Sequence, residues 1–585
     1  MGEKEITIEI KRPEIIVLLI FFSILLFLEI RITINSPIAF GDEGFHTRIA
    51  QWIGQEREYP VWLPFIGTKL VRSGFYRPPL WNILEGSFYL LFGFNDIIVK
   101  VLTPFIASIL IGLVIFLLVK EIYSKEVGFI AAIIIVTIPS IVTYSVLFYT
   151  DILFTFYFCL FIFTFILSIK TENKKYWAVA GVFSALTLLT KSPGVIVVPF
   201  LVVLFFLYQV HKEGFSKKLK NYLVLILFLI LISGSYFIRN FVYYGTPHCN
   251  FPLFSSEGCQ KTFEYKNIKE LPSGTAGGGS SESILKIGIM NYLNFVYGRI
   301  WFIPLSFICG LFYIGVRKNN FNVLIFLIIL SFLPIFYVSL SSITEDLSRS
   351  TLSFASIVAL ISGIYFSGIY KYISKIDFAW VGTLVFLMID FLIIFYNYIA
   401  ISSVLSIILG FGLFIASAYF LYQKNYKYAM MATFFSFIIL FSFTNFYDKI
   451  TGMVQVKQFV PSFFDACNFI KQNTTNDVLI LTVWDYATTY NTQRNVYQLT
   501  GLPDSGDIML SGDVNLTLSR LKAHGVTHIF VQKFSINANY YPVEFINFLE
   551  DNPKKFVKIY ETGSDLQQCI QSGGCDGNIL YQIKY

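Results

Sequence analysis

The chain reads as long apolar runs broken by short polar connections, and over its last quarter as something different. Ile15–Leu28, Val101–Val119 and Phe321–Leu340 each approach the roughly 20 residues that cross about 30 Å of hydrocarbon. A helix of a soluble core pairs an apolar face with a polar one, whereas these runs are apolar all round. The pattern predicts about 13 membrane-spanning helices. They fall near residues 14–31, 83–119 (an entry segment, then a span), 127–147, 149–169, 177–191, 193–210, 222–239, 300–316, 321–340, 350–370, 378–396, 399–422 and 428–447. Two connections are long: residues 32–82, and residues 240–298, which hold the Gly- and Ser-rich stretch Ser273–Ser283.

From about Lys449 the period changes. Short β-rich runs at Val478–Val483, Thr527–Gln532, Phe556–Tyr560 and Ile579–Lys584 alternate with helical patterns at Pro461–Gln472, Val514–His524 and Tyr541–Glu550. Such alternation predicts a small α/β domain. The expected fold class is therefore a polytopic α-helical membrane protein, residues 1–448, followed by a soluble α/β domain, residues 449–585.

Composition agrees: 55% of residues are hydrophobic and only 14% charged, where a soluble domain is nearer one quarter charged. The net charge of +7 raises nucleic acid as a partner, but the basic residues sit in clusters between apolar runs. These are Lys4/Lys11/Arg12, Lys120/Lys125, Lys170/Lys174/Lys175, Lys212/Lys217/Lys218/Lys220, Arg317/Lys318, Lys371/Lys375 and Lys424/Lys427. Every second connection carries one, which marks those connections as cytoplasmic and excludes a nucleic-acid surface. The N-terminus is then cytoplasmic, and the two long connections and the C-terminal domain are extracytoplasmic, in a multi-pass protein of the cell membrane. The first apolar run lacks a small-residue cleavage site and reads as a retained helix. Cys249 with Cys259, and Cys569 with Cys575, are close pairs in outer segments and candidate disulfides; Cys159 and Cys309 fall within spans as packing residues.

The polar chemistry gathers at the outer rim. Just past the first span, Phe40-Gly41-Asp42-Glu43-Gly44-Phe45-His46 places two carboxylates and a histidine at the membrane edge. Phe45, Ile49, Trp52 and Ile53 follow at helical spacing, predicting an amphipathic helix along the interface that fixes Asp42 at its start. A helix cap accounts for one acid, but not for the whole run. Farther on, Phe75-Tyr76-Arg77-Pro78-Pro79-Leu80 presents Arg77 from a segment that two prolines keep extended, and a guanidinium suits a phosphate. Asp151 opens the fourth span as an isolated carboxylate in an apolar, aromatic setting. Lys191, Arg239 and Arg349 lie at outer helix ends, against the positive-inside bias. Snorkelling anchors would explain any one of them; with Arg77 they favour an anionic ligand such as a lipid phosphate.

Asp42-Glu43 after span one, Arg77-Pro78-Pro79-Leu80, Asp151 opening span four and Leu189-Thr190-Lys191 together resemble the pattern of GT-C membrane glycosyltransferases. The similarity is to the protein O-mannosyltransferases and the aminoarabinose lipid A transferases, and it covers the first 250 residues or so. It implies transfer of a sugar from a polyprenyl or dolichyl phosphate to an acceptor hydroxyl of a protein, glycan or lipid on the outer face, usually with inversion. Asp42 is then the general base, with Glu43 and Asp151 as further catalytic acids. Arg77 and Lys191 stabilise the leaving phosphate, and Tyr76, His46, Arg239, His248 and Arg349 line the lipid-phosphate and sugar site. This chain departs from the pattern in two places. Arg77 stands where the aminoarabinose transferases place a lysine. Asp151 is followed by Ile152 and Leu153, where metal-using relatives pair acids, so neither a cofactor nor a metal is expected. Were one required, Asp42, Glu43, His46, Asp151 and His248 supply the donor types. A transporter or flippase would place its ionisable groups near the midplane, where Asp390 is the main instance, and a ligand sensor would need an output domain.

Overall fold

The computed structural model describes residues 12–38, 41–213, 215–247, 310–311, 352, 355–373, 450, 452, 461–536, 541–572 and 575–585. Its contacts divide the chain into two compact units. One comprises Met1–Asn35, Ile97–Gly234 and Ser283–Val454; the other comprises Ser36–Asp96, Ser235–Glu282 and Gln455–Tyr585.

The described elements of the first unit are helices. Its described helices include Arg12–Thr33, Ile97–Phe105, Ile111–Ile122, Lys125–Thr137, Pro139–Val146, Thr150–Thr171, Lys174–Thr190, Gly194–Glu213 and Ala355–Ile373, and Phe215–Tyr244 begins in it. Four stretches, Ile97–Ile122, Thr150–Thr171, Gly194–His211 and Leu219–Tyr244, are long and apolar enough to cross a bilayer by length and composition. Five of the expected spans, near 14–31, 149–169, 177–191, 193–210 and 350–370, are helices whose ends fall within five residues of the expected ones, and the sixth, 222–239, lies inside the longer helix Phe215–Tyr244. The expected spans near 321–340, 378–396, 399–422 and 428–447 lie outside the described residues, as does 300–316 apart from Gly310 and Leu311.

Two expected helices are broken. The run 127–147 bends by 50° between Thr137 and Pro139. Proline lacks the N–H that would continue the ladder and holds the residue before it extended, and Ile138 has ψ 127°. The run 83–119 is interrupted at Gly93, whose φ of +77° suits a residue without Cβ, and the helix Leu80–Phe92 before it belongs to the second unit. Past the break, Ile106–Leu110 forms a π-turn between the two helices of one long span. There Ser108 donates to Glu29 at 2.5 Å and Ser145 to its other oxygen at 2.7 Å, so a carboxyl buried among helices is satisfied locally.

The second unit is built on a seven-stranded sheet in the order β2-β1-β4-β3-β5-β7-β6. The strands are β1 Trp62–Gly67, β2 Arg72–Gly74, β3 Leu479–Thr482, β4 Asn495–Gln498, β5 His528–Gln532, β6 Phe556–Gly563 and β7 Gly577–Ile583. All four strands expected after residue 449 are present, and β4 is additional. The centre β1, β4, β3 and β5 is parallel, while β2, β7 and β6 join antiparallel at the margins. β3 is buried at every residue, as a central strand covered on both faces must be, and edge strand β6 alternates. The domain boundary drawn at residue 449 therefore does not enclose this sheet, because β1 and β2 come from the 32–82 connection and Ile66 pairs with Val496. One core joins Phe45, Ile49, Leu63, Ile66 and Phe75 to Phe463, Ile480, Val496, Ile529 and Tyr541.

Candidate active site

Asp42 and Glu43 stand in the first turn of the helix Gly41–Glu56, where the N-terminal end of the helix dipole favours acids. The expected amphipathic helix is present, but it is covered by protein: Glu43, Gly44, Phe45, His46, Thr47, Ile49 and Ala50 are all buried. It packs against the helices Leu80–Phe92 and Asp485–Thr492. Gly44 makes the second contact possible, since a Cβ there would lie 2.6 Å from the carbonyl oxygen of Tyr486. Asp42 itself stays partly open, with 19% of its side chain exposed.

Arg77 reaches Asp42 from the proline-bounded segment, Nη1 donating to Oδ1 at 3.2 Å. Its guanidinium lies 4.2 Å from the centre of the Phe45 ring and 5.7 Å from that of Tyr486, and the two rings are 4.8 Å apart. The rings hold the plane of the guanidinium while 32% of the side chain remains accessible. Burial pulls the Arg77 pKa down; Asp42 and the neighbouring phenols outweigh that and raise it, so the cation is secure. The sequence brought these residues to one loop, and the structure brings them into contact.

His46 is locked rather than presented. Asn82 Nδ2 donates to the His46 carbonyl at 3.0 Å, so Asn82 Oδ1 is the acceptor for His46 Nδ1–H at 3.1 Å. Glu43 is fully buried. Tyr76 gives its carbonyl to the Tyr236 hydroxyl at 2.7 Å, and its ring meets Tyr244 edge-on at 6.2 Å. Arg239 donates to the carbonyls of Phe75 at 3.1 Å and Pro60 at 2.6 Å, so both terminal nitrogens of this expected phosphate ligand already hold backbone. In the helical unit, Asp151 and Lys191 are joined as an ion pair, the carboxylate fully buried. His248 and Arg349 lie outside the described residues, as do Cys249 and Cys259, whereas Cys569 and Cys575 form a disulfide. Among the described residues no three His, Cys, Asp or Glu side chains converge as metal ligands.

The residues missed in the sequence come from the far end of the chain. Asp485 opens the helix Asp485–Thr492 and is buried. Burial raises its pKa to about 7, backbone N–H groups and Arg77 oppose the shift, and Asp42 adds to it. Asp485 and Tyr486 are thus electrostatic neighbours of the Asp42–Arg77 pair. Their only sequence cue was a Trp-Asp-Tyr run just after a β-strand pattern.

Comparison with known proteins places this geometry in context. Residues 76–237 match the family described as dolichyl-phosphate-mannose-protein mannosyltransferase, a stretch that takes in Arg77, Asp151 and Lys191 but not Asp42. No curated protein matches the chain. Among solved structures, ArnT from Cupriavidus metallidurans in the apo state superposes with a TM-score of 0.60 at 12% identity, over 97% of each chain. The same protein bound to undecaprenyl phosphate gives 0.57 at 11%, again over 97% of each. The oligosaccharyltransferase of Archaeoglobus fulgidus gives 0.57 at 12%, covering 88% of this chain and 69% of that one. The chain carries the fold of the GT-C membrane glycosyltransferases.

Proposed function

We propose that the chain is a glycosyltransferase that moves a sugar from a polyprenyl- or dolichyl-phosphate donor to an acceptor hydroxyl on the extracytoplasmic face of the membrane, inverting the sugar carbon. The observation that carries this reading is the partly open Asp42–Arg77 pair, in a chain whose residues 76–237 match a dolichyl-phosphate-mannose-dependent family. That a structural neighbour holds undecaprenyl phosphate supports the donor class.

The chemistry follows from the two groups. Asp42 accepts the proton of the acceptor hydroxyl as its oxygen bonds to the sugar carbon. The bond from that carbon to the phosphate oxygen breaks, and its electron pair leaves on the phosphate, where Arg77 meets the added charge. An inverting displacement puts the attacking and departing oxygens on opposite sides of the carbon. The 3.2 Å contact between carboxylate and guanidinium is therefore a resting arrangement, which the donor opens by entering between them. While closed, the pair neutralises both groups, so the base is released when the phosphate takes over Arg77.

The test is a mass-spectrometric comparison of polyprenyl-phosphate sugars and surface glycans from cells with the active chain and with two variants. Asp42→Asn keeps the side-chain size and removes the base, so turnover should fall by about 10²–10⁴-fold, while donor binding holds or tightens because the carboxylate no longer competes for Arg77. Arg77→Ala should weaken donor binding as well as turnover, because the phosphate is charged before and during reaction; Arg77→Lys should restore part of both. Near-normal transfer by a folded Asp42→Asn protein would overturn the assignment of the base.

A further inference from the structure

The segment that carries Arg77 has no secondary structure of its own to hold it. Pro78 and Pro79 provide no amide hydrogen, and a residue before proline is kept out of the helical region. The carbonyls of residues 75–77 therefore need donors from elsewhere. Each receives one from a side chain: Phe75 from Arg239 at 3.1 Å, Tyr76 from the hydroxyl of Tyr236 at 2.7 Å, Arg77 from the hydroxyl of Tyr59 at 3.2 Å.

Two of these three donors, Tyr236 and Arg239, come from one helix. Tyr236, Arg239, Asn240, Tyr243 and Tyr244 recur at the three- and four-residue spacing of a single face of the helix Phe215–Tyr244. The Arg239 guanidinium lies 4.7 Å from the centre of the Tyr59 ring, and its Nη2 holds the Pro60 carbonyl next in sequence. Tyr244 donates to the Val61 carbonyl, and Val61 in turn accepts the Phe75 amide at 2.8 Å, which ties the two ends of the loop together. The ring of Tyr59 packs at a tilt against that of Phe75, with ring centres 5.0 Å apart.

We propose that Tyr59, Tyr236 and Arg239 are positioning residues that fix the backbone under Arg77, so that its guanidinium is set for the donor phosphate before the donor arrives. The proposal rests on the reading of Arg77 as the phosphate ligand. Arg239 acts through the backbone, with its terminal nitrogens on carbonyls, instead of contacting phosphate. A long side chain on a loose loop would lose freedom on binding; a guanidinium whose Cα is anchored through three adjacent carbonyls has that freedom removed during folding.

A double-mutant cycle tests this. Tyr236→Phe and Tyr59→Phe each remove one hydroxyl and keep the ring, so the fold is disturbed as little as a substitution allows. Binding of dolichyl phosphate to the full-length protein in detergent is measured for each, alone and combined with Arg77→Ala, with thermal unfolding of all variants alongside. Loss of one neutral hydrogen bond should weaken binding by about three- to tenfold in the otherwise unchanged protein. In the Arg77→Ala background the same changes should weaken it by less than about twofold, because the group they position is gone. Equal weakening in both backgrounds would show that the hydroxyls serve the fold at large, and no weakening in either would show that they hold nothing of consequence; each result overturns the clamp. If Arg77→Ala itself binds dolichyl phosphate like the unchanged protein, the phosphate assignment falls as well, a pattern distinct from additive losses. Should Arg77→Ala fail to fold, Arg77→Lys serves as the background, and the weakening should shrink there too.

Discussion

At the scale of the residue, the site is a set of charges whose states follow from their neighbours. Asp485 carries a pKa of about 7, above the ordinary carboxylate value because it is buried, so it is neutral below that pH and charged above it. Its charge faces the Asp42–Arg77 pair, and an anionic donor entering there meets one more negative charge at pH 8 than at pH 6. Donor KM should therefore rise as pH passes through 7, and Asp485→Asn should flatten that rise while leaving the neutral-form KM intact; an unchanged slope would remove Asp485 from the site. Asp151 is engaged differently: its side chain is fully buried and paired with Lys191. A carboxylate so paired is a poor metal ligand, and transfer is expected to survive EDTA. Complete loss, restored by Mg²⁺ or Mn²⁺, would point to another donor set. Asp42, Arg77 and the pairing partners Asp151 and Lys191 were all legible in the sequence, because carboxylates and cations at helix ends beside apolar runs stand out. Asp485 was not, because an acid after a β-strand pattern is ordinary until the fold buries it beside Arg77.

At the scale of the element, the decisive contact is between the helices Gly41–Glu56 and Asp485–Thr492. Gly44 was read only as part of an acidic run, yet it is where the two backbones meet. A methyl group at 44 would stand 2.6 Å from a backbone oxygen that cannot turn aside. Gly44→Ala should cost about 1–3 kcal/mol as the helices are forced apart, and it should depress transfer by displacing Asp42 and Tyr486. A melting temperature and transfer rate both unchanged would mean that the helices are not so tightly joined. Local signals predicted most elements well: the strands after residue 449, and the helices at 461–473, 514–524 and 543–551, match the pattern closely. They failed where a single residue overrides a run, as Pro139 does at the 50° bend and Gly93 at the end of the helix Leu80–Phe92.

At the scale of the whole molecule, the sheet of the second unit is assembled from distant parts of the chain. Ile66, buried in β1, pairs with Val496 of β4. Ile66→Asp should therefore lower the protease resistance of residues 461–585, although no substitution lies within them, because an unpaired charge in a shared core destabilises the whole of it. Unchanged protection in limited proteolysis would mean that the C-terminal segment folds without the loop. The sequence by itself determined the membrane class, the periods of helix and strand, and Asp42 and Arg77 as separate candidates, since hydropathy, periodicity and the company of charged residues are local properties. Only the tertiary structure decided that the first long loop completes the C-terminal sheet, that Arg239 holds backbone carbonyls, and that Asp485 and Tyr486 stand beside Arg77. Those are pairings between segments far apart in sequence, and they are set by which buried surfaces and unsatisfied backbone groups can be matched at once.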